Sequence, residues 1–278
     1  MDLIIPDQYY QIVYDYKQVY EFAKRFLPSK STQVMNLTLF ARRKYDSNIP
    51  KATIKLKQMF LCGCERDDSN TIFRDQKCQK LVIELYRLHC PIGSFNINST
   101  EVISNDALVV YAHLIPKNPI KALNKTLTQC IDTIFEESDD NKKLRNVLSF
   151  LHDEIGRTNS RIDKNEKLTH IDLDTKDPGK IIKVRTILEE ANITPFIRMC
   201  VETRSGYHII YNSRPVENCI NHKMIYDFKN KTKIINKNVL GEDVVDYWFS
   251  ITNTPYVAIP GTIQGGFKVK FCDDLFTK

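Results

Sequence analysis

Two carboxylates two residues apart, Asp172 and Asp174, close the apolar segment Thr169-His170-Ile171-Asp172-Leu173-Asp174. Side chains alternate along a strand, so Ile171 and Leu173 point to one face and both carboxylates to the other. Two like charges held this close call for a counter-ion. A divalent metal supplies one, and hard Mg²⁺ or Mn²⁺ prefers such oxygen ligands. By itself the pair also suits a strand running into a turn, because Lys176, Asp177, Pro178 and Gly179 follow.

A second group lies in RMCVETRSGYHIIYNS, residues 198–213. MCVET and YHIIY alternate as two strands, and Arg204-Ser205-Gly206 joins them as a tight turn. Laid beside the DxD strand, this hairpin brings His208 toward the carboxylates. Arg204, Ser205 and nearby backbone N–H groups then share one mouth. Arg offers a forked donor, Ser a hydroxyl and His a further donor, a mixture suited to a triphosphate. A plain surface hairpin with a solvated Arg accounts for the same residues.

The third group is EDVVDYWFSITNTPYVAIPGTIQGG, residues 242–266. Asp246 follows an apolar pair and is the natural third carboxylate. The glycines of PGTIQGG serve a tight turn and the close approach of backbone to a ligand. Lys268 and Lys270 follow and reach toward a phosphate. Asp246 as a strand-edge charge and PGT as a plain turn are the simpler alternatives.

These groups need elements to hold them. Apolar spacing predicts a helix over 9–27, ending before Pro28, and strands over 34–42 and 52–61. The stretch 62–79 reads as irregular, 81–89 as a strand and 106–114 as a strand. Helices follow over 120–136 and 141–156. Beyond the DxD strand the pattern predicts a helix over 179–192, a strand pair over 196–213 and a helix over 219–228. Strands near 244–250, 255–260 and 267–272 complete the chain. EESDD, 136–140, and RTNSRIDKNEK, 157–167, are the seams. Alternating strands and helices argue for an α/β (α+β) fold in two modules, 1–157 and 158–278.

Composition excludes several classes. The 278 residues are 42% hydrophobic and 27% charged, as in an ordinary globular protein with a sizeable core. No apolar run spans a membrane and no secretory signal is expected, so no membrane partner is expected either. Eight scattered cysteines predict reduced thiols and an intracellular, nuclear or cytoplasmic setting. Cys62, Cys64, Cys78, Cys90 and His89 lack the paired spacing of a structural zinc site, so zinc is not expected. The net charge of +6 permits a polyanionic partner. Basic clusters at 42–44, 51–57, 180–185 and 229–237 suit either a solvated face or a nucleic-acid backbone. Phe40, Tyr45 and Phe60 add stacking surface to the first two.

In that order, IDLD, SGYHII, VVD and IPGTIQGG resemble the archaeo-eukaryotic primase superfamily. Its signature is a DxD or DxE strand, an sxH-type hairpin, and a third Asp ahead of a Pro-Gly-type turn. The interval from Asp246 to Pro260 is similar to that in the eukaryotic small primase subunit, and the likeness covers about 166–272. The resemblance implies a primase-type core of two α/β modules, the C-terminal one RRM-like. It implies that Asp172, Asp174 and Asp246 hold two Mg²⁺ or Mn²⁺ ions. It implies that Arg204, Ser205, Gly206, His208, Gln264 and Lys268 form the nucleotide site. The implied reaction is nucleotidyl transfer of an NTP or dNTP onto a primer or initiating nucleotide, on a single-stranded DNA template. A helicase or large subunit is an implied partner. A gap-filling or end-joining polymerase, a non-catalytic nucleic-acid-binding module and a metal nuclease are the alternatives. Three features depart from the pattern. Ala258 stands where a basic residue is usual, Gln264 where a His often follows the turn, and Gly206 where the SxH pattern has its Ser, with Ser205 one residue earlier.

Overall fold

The computed structural model describes residues 9–63, 71–97, 101–135, 147–157, 167–216, 221–237, 243–253 and 256–277. Two larger sheets dominate a mixed α/β chain. Their strands, numbered alone, are β1 (Val34–Arg42), β2 (Thr53–Cys62), β3 (Leu108–Lys117), β4 (Leu168–Leu173), β5 (Ile197–Glu202), β6 (Tyr207–Asn212), β7 (Phe249–Thr252), β8 (Tyr256–Ala258) and β9 (Lys270–Phe271). The helices are α1 (Tyr16–Phe26), α2 (Thr71–Tyr86), α3 (Pro119–Phe135), α4 (Val147–Arg157), α5 (Pro178–Glu190), α6 (Asn221–Lys231) and the short α7 (Asp274–Thr277). One sheet runs β8-β3-β1-β2 and the other β7-β4-β6-β5-β9, all pairs antiparallel.

The chain order β4-α5-β5-β6-α6-β7 with spatial order β7-β4-β6-β5 is the split βαβ arrangement of RRM-like sheets. Period-two alternation sets its two faces. Ile171, Leu173, Cys200, Ile209, Tyr211 and Phe249 pack on Val184 and Leu188 of α5 and Ile225 of α6. Leu168, Met199, Val201 and Ile210 point the other way and join Leu37, Leu39, Val110 and Ala112 of the four-stranded sheet in one core. The five-stranded sheet is therefore covered on one face by helices and on the other by a second sheet. His170, Asp172 and His208 share this second face.

The C-terminal segment does not stay with its own sheet. β8 pairs with β3, with Val257 opposite Ala112, and completes the N-terminal sheet. Gly261 O then accepts hydrogen bonds from Tyr14 N at 2.9 Å and Asp15 N at 3.1 Å. Gly261 has φ +88°, and a Cβ there would lie 2.2 Å from Asp15 O, so both conformation and space require glycine. Residues 256–271 thus tie the two expected modules together across position 157.

Two elements differ from expectation. Residues 81–89 were expected as a strand, but 81–86 end helix α2. The apolar LVIEL run hides the helical spacing of buried Cys78, Leu81, Leu85 and Leu88, which pack toward α1, while Ile83 and Tyr86 stay exposed. The first nine residues of α2, 71–79, expected as irregular, belong to the same helix. Helix α1 starts at Tyr16, because the Asp15 side chain caps it by accepting from Lys17 N and Gln18 N. Tyr9–Tyr10 instead pairs with Cys90–Pro91. The seam 136–140, most of the seam 157–167, and Cys64 lie outside the described residues. Among the described residues no helix is long and apolar enough to cross a membrane.

Phe249 is fully buried and meets the Phe228 ring edge-on at 5.0 Å between centroids. Phe249→Ala should cost about 3–5 kcal/mol of unfolding free energy in a denaturant titration. Ile182→Ala, at an exposed position of α5, should change it by less than about 0.5 kcal/mol.

Candidate functional site

The site begins with register. Asp172 on β4 lies directly opposite His208 on β6 and, on its other side, opposite Ser250 on β7. His170 is one pleat back on the same face of β4, so its ring meets His208 edge-on at 4.7 Å. His208 Nε2 is 3.5 Å from Asp172 Oδ1. One ligand atom from each of His170, Asp172 and His208 lies within 4.8 Å of the others.

The facing sheet supplies the other wall. Phe40, Arg42, Thr53, Tyr111 and Tyr256 join the two histidines and Asp172 around a cleft of about 270 Å³. Tyr111 stacks on the His208 ring at 6.4 Å. Its hydroxyl accepts from Arg42 Nη1 at 2.8 Å and from Gln264 Nε2 at 3.0 Å.

The hairpin turn closes one end. Ser205 Oγ donates to Asp174 Oδ1 at 2.9 Å, and Lys44 Nζ donates to the same oxygen at 2.6 Å and to Ser205 Oγ at 3.1 Å. Arg204 is held by its Nη1 donating to Gly265 O at 2.6 Å, and its guanidinium lies over the Tyr45 ring at 5.2 Å. Gly206 makes the turn possible. A Cβ there would fall 1.7 Å from Leu173 O and 2.7 Å from Thr175 N. The turn therefore packs backbone to backbone on the end of the DxD strand.

Charge divides the two carboxylates. Burial would raise the Asp174 carboxyl, but Lys44 and Ser205 outweigh it and hold the group below its ordinary value. Asp172 goes the other way. Burial raises it, with His170 drawing it down and Asp174 pushing it up. Burial lowers His170 to about 3 and His208 to about 4, so both imidazoles are neutral near neutrality. His170 Nε2 and His208 Nδ1 are buried without a hydrogen-bond partner among the described residues.

The structure gathers Asp172, Asp174, Arg204, Ser205, Gly206 and His208 at one mouth. Gln264 is buried just behind it, with its amide nitrogen on Tyr111 and its oxygen accepting from Arg204 N at 3.2 Å. Gln264 thus braces the wall of the cleft. Lys268 stands outside the cleft lining, over the Tyr14 ring at 5.5 Å. Asp246 sits in the strand Asp243–Tyr247, opposite Ile234 of Lys233–Lys237, in a two-stranded ribbon apart from the five-stranded sheet. Its side chain lies outside the described residues.

Four site residues escaped the sequence reading. His170 was legible, because the alternation that pairs Asp172 with Asp174 puts His170 on the same face. Lys44 stood in a recognised basic stretch, with nothing to mark its partner 130 residues away. Arg42 stood in the same basic stretch, and Tyr111 carried no local signal, since a different sheet delivers both.

Compared with known proteins, the chain matches no family model, no curated protein and no solved structure.

Two outcomes follow from this geometry. Gly206→Ala should lower stability by about 1–3 kcal/mol or more in a thermal or denaturant melt, because backbone must move on both sides. Glu202 pairs with Lys176 at 2.7 Å and Lys270 at 3.0 Å, fixing the segment after the DxD strand to the sheet edge. Burial would raise the Glu202 carboxyl, but the two lysines hold it below its ordinary value. A depressed carboxylate adds stability above its unfolded pKa and loses it as pH falls through the folded one. Glu202→Gln should therefore cost about 0.5–1 kcal/mol at neutral pH, a gap that closes as pH falls below the ordinary carboxylate range.

Proposed function

We propose that this chain is a nucleotidyltransferase of the primase-polymerase kind, adding NTP or dNTP to a primer or initiating nucleotide on a single-stranded DNA template. One observation carries the reading: His208 lies opposite Asp172, while Ser205 of the preceding turn and Lys44, just past β1, both reach Asp174. Carboxylates and phosphate-type donors thus meet at the mouth of a single cleft, in the order that the primase-like motifs run along the chain.

The implied metals fit this site in part. Asp172 is free to take a cation. Asp174 already carries Lys44, and the nearest neighbours of Asp172 are imidazoles and not further carboxylates. When bound, a divalent cation supplies charge neutralisation at a phosphate and lowers the pKa of a coordinated hydroxyl. Asp172 would hold it, and Asp174 would join once Lys44 moves off.

The chain's own residues do the positioning. Lys44 can exchange Asp174 for a phosphate oxygen, which frees the carboxylate as the nucleotide enters. Arg204 presents a guanidinium whose orientation Gly265 O and Tyr45 fix beforehand, while Gln264 holds its backbone N–H, so little ordering cost remains on binding. Neutral His208, stacked on Tyr111, offers a ring N–H to the triphosphate. The 3′-hydroxyl of the primer attacks the α-phosphorus, the bond to the bridging oxygen breaks, and pyrophosphate leaves. Positioning and charge account for most of such catalysis. The basic stretches of the first sheet would track the template backbone, and a helicase or large subunit would be a natural partner.

The test is nucleotide incorporation on primed and unprimed single-stranded templates, with Mg²⁺ or Mn²⁺ and with NTPs and dNTPs separately. Templated product is expected. The variants Asp172→Asn and Asp174→Asn should each lower its rate at least ~10²-fold. Template breakdown that these variants abolish would identify hydrolysis instead. Template binding with no product under any condition would identify a binding module.

A further inference from the structure

The two histidines around Asp172 serve no purpose in an all-oxygen metal site. Both are buried, at 5% exposure each, on the one sheet face that opens to the cleft. Asp172 lies between them with 37% of its side chain exposed, and a carboxylate partly withdrawn from water gains from a cation beside it. Lys44 and Arg42 lie near enough to draw the Asp172 carboxyl down, but neither ion-pairs with it directly among the described residues. Lys44 pairs with Asp174 and Arg42 donates to Tyr111. His170 Nε2, on the same sheet face as Asp172, has no hydrogen-bond partner among the described residues.

We infer that His170, Asp172 and His208 form a mononuclear site for a first-row transition-metal dication of the Mn²⁺–Zn²⁺ series, with His170 a ligand that lies outside the DxD pattern. Two imidazoles and one carboxylate are the donor set these ions favour, while Mg²⁺ prefers oxygen alone. The spacing agrees. Ligands about 2.1 Å from a tetrahedral ion lie roughly 3.4 Å apart. His208 Nε2 and Asp172 Oδ1 are already 3.5 Å apart, and all three ligand atoms lie within 4.8 Å. Side-chain rotation closes the remainder, because His170 and His208 come from adjacent strands in fixed register. The three ligands share one side of the ion, since the sheet face carries all of them. The cleft side stays open for water or a phosphate oxygen, as in catalytic sites with three protein ligands. Tyr111 backs His208 from the opposite sheet and limits its rotation.

This inference does not rest on the nucleotidyl-transfer reading, and its test uses neither nucleotide nor template. Chelator-stripped full-length chain is titrated with Co²⁺ alone while visible absorption is recorded, and then with Mg²⁺ in large excess. One equivalent of Co²⁺ is expected, with ligand-field bands of low coordination number that excess Mg²⁺ leaves in place. His170→Ala and His208→Ala should each weaken binding beyond the ~10–100-fold that losing a group behind a ligand costs. Zn²⁺ should raise the unfolding midpoint of the wild type and leave that of His170→Ala unchanged. If His170→Ala does not fold, the same-sized Asp172→Asn carries the test, with equal loss expected. Folded wild type that binds no Co²⁺, His170→Ala that binds it as the wild type does, or ready displacement by Mg²⁺ would each overturn the inference. Incorporation activity can succeed or fail independently of any of these results.

Discussion

The pairing of β4 with β6 fixes everything the cleft can do. Register puts His208 across from Asp172 and leaves Ile171, Leu173, Ile209 and Tyr211 to face the helices. A slip of one residue would turn the histidines and carboxylate into the helical layer and bring the apolar set into the cleft. Gly206 guards against that slip at the turn. Its backbone lies so close to Leu173 O and Thr175 N that no other residue fits without movement. The site is thus built on paired strands with an apolar layer beneath, a more exacting support than loops provide.

Electrostatic asymmetry is the second constraint. Asp172 and Asp174 look equivalent in sequence, yet the structure gives them different partners. Asp174 stands past the end of the strand, where Lys44 and Ser205 reach it, and its carboxyl is held down. Asp172 stands between neutral imidazoles in a recess, and burial holds its carboxyl up. The Coulomb energy of a charge depends on the local medium as well as on its neighbours. A pair of groups pushed apart in this way can divide labour, one binding a cation and the other exchanging partners at the mouth.

The site also depends on a sheet from the other half of the chain. Tyr111 and Arg42 come from β3 and β1, and Tyr256 comes from β8, which leaves the C-terminal half to complete the N-terminal sheet. Gln264 and Gly265 follow on the same excursion and anchor Arg204. The C-terminal segment therefore locks the two sheets face to face and holds the guanidinium in place. Separating the halves at position 157 would leave β3 without its edge strand and the cleft without one wall.

The sequence by itself determined the local periodicities. Alternation in Thr169–Leu173 and Tyr207–Asn212 marked both strands and the face carrying the carboxylates, and Arg204-Ser205-Gly206 marked the turn. The same alternation contained His170. Apolar spacing also placed α3, α5 and α6, because a helix or strand repeats every 3.6 or two residues whatever packs on it. Where apolar residues run together, as in 81–86, period is ambiguous and the partner decides; packing on α1 made that stretch a helix. The start of α1 turned on a cap and a short pairing with Cys90–Pro91, features that depend on geometry more than on period. Only the tertiary structure decided that Lys44 meets Asp174, that Tyr111 backs His208, and that β8 crosses to the other sheet. Those contacts join residues 97 to 147 positions apart, and no local pattern encodes which distant surfaces a folded core will bring together.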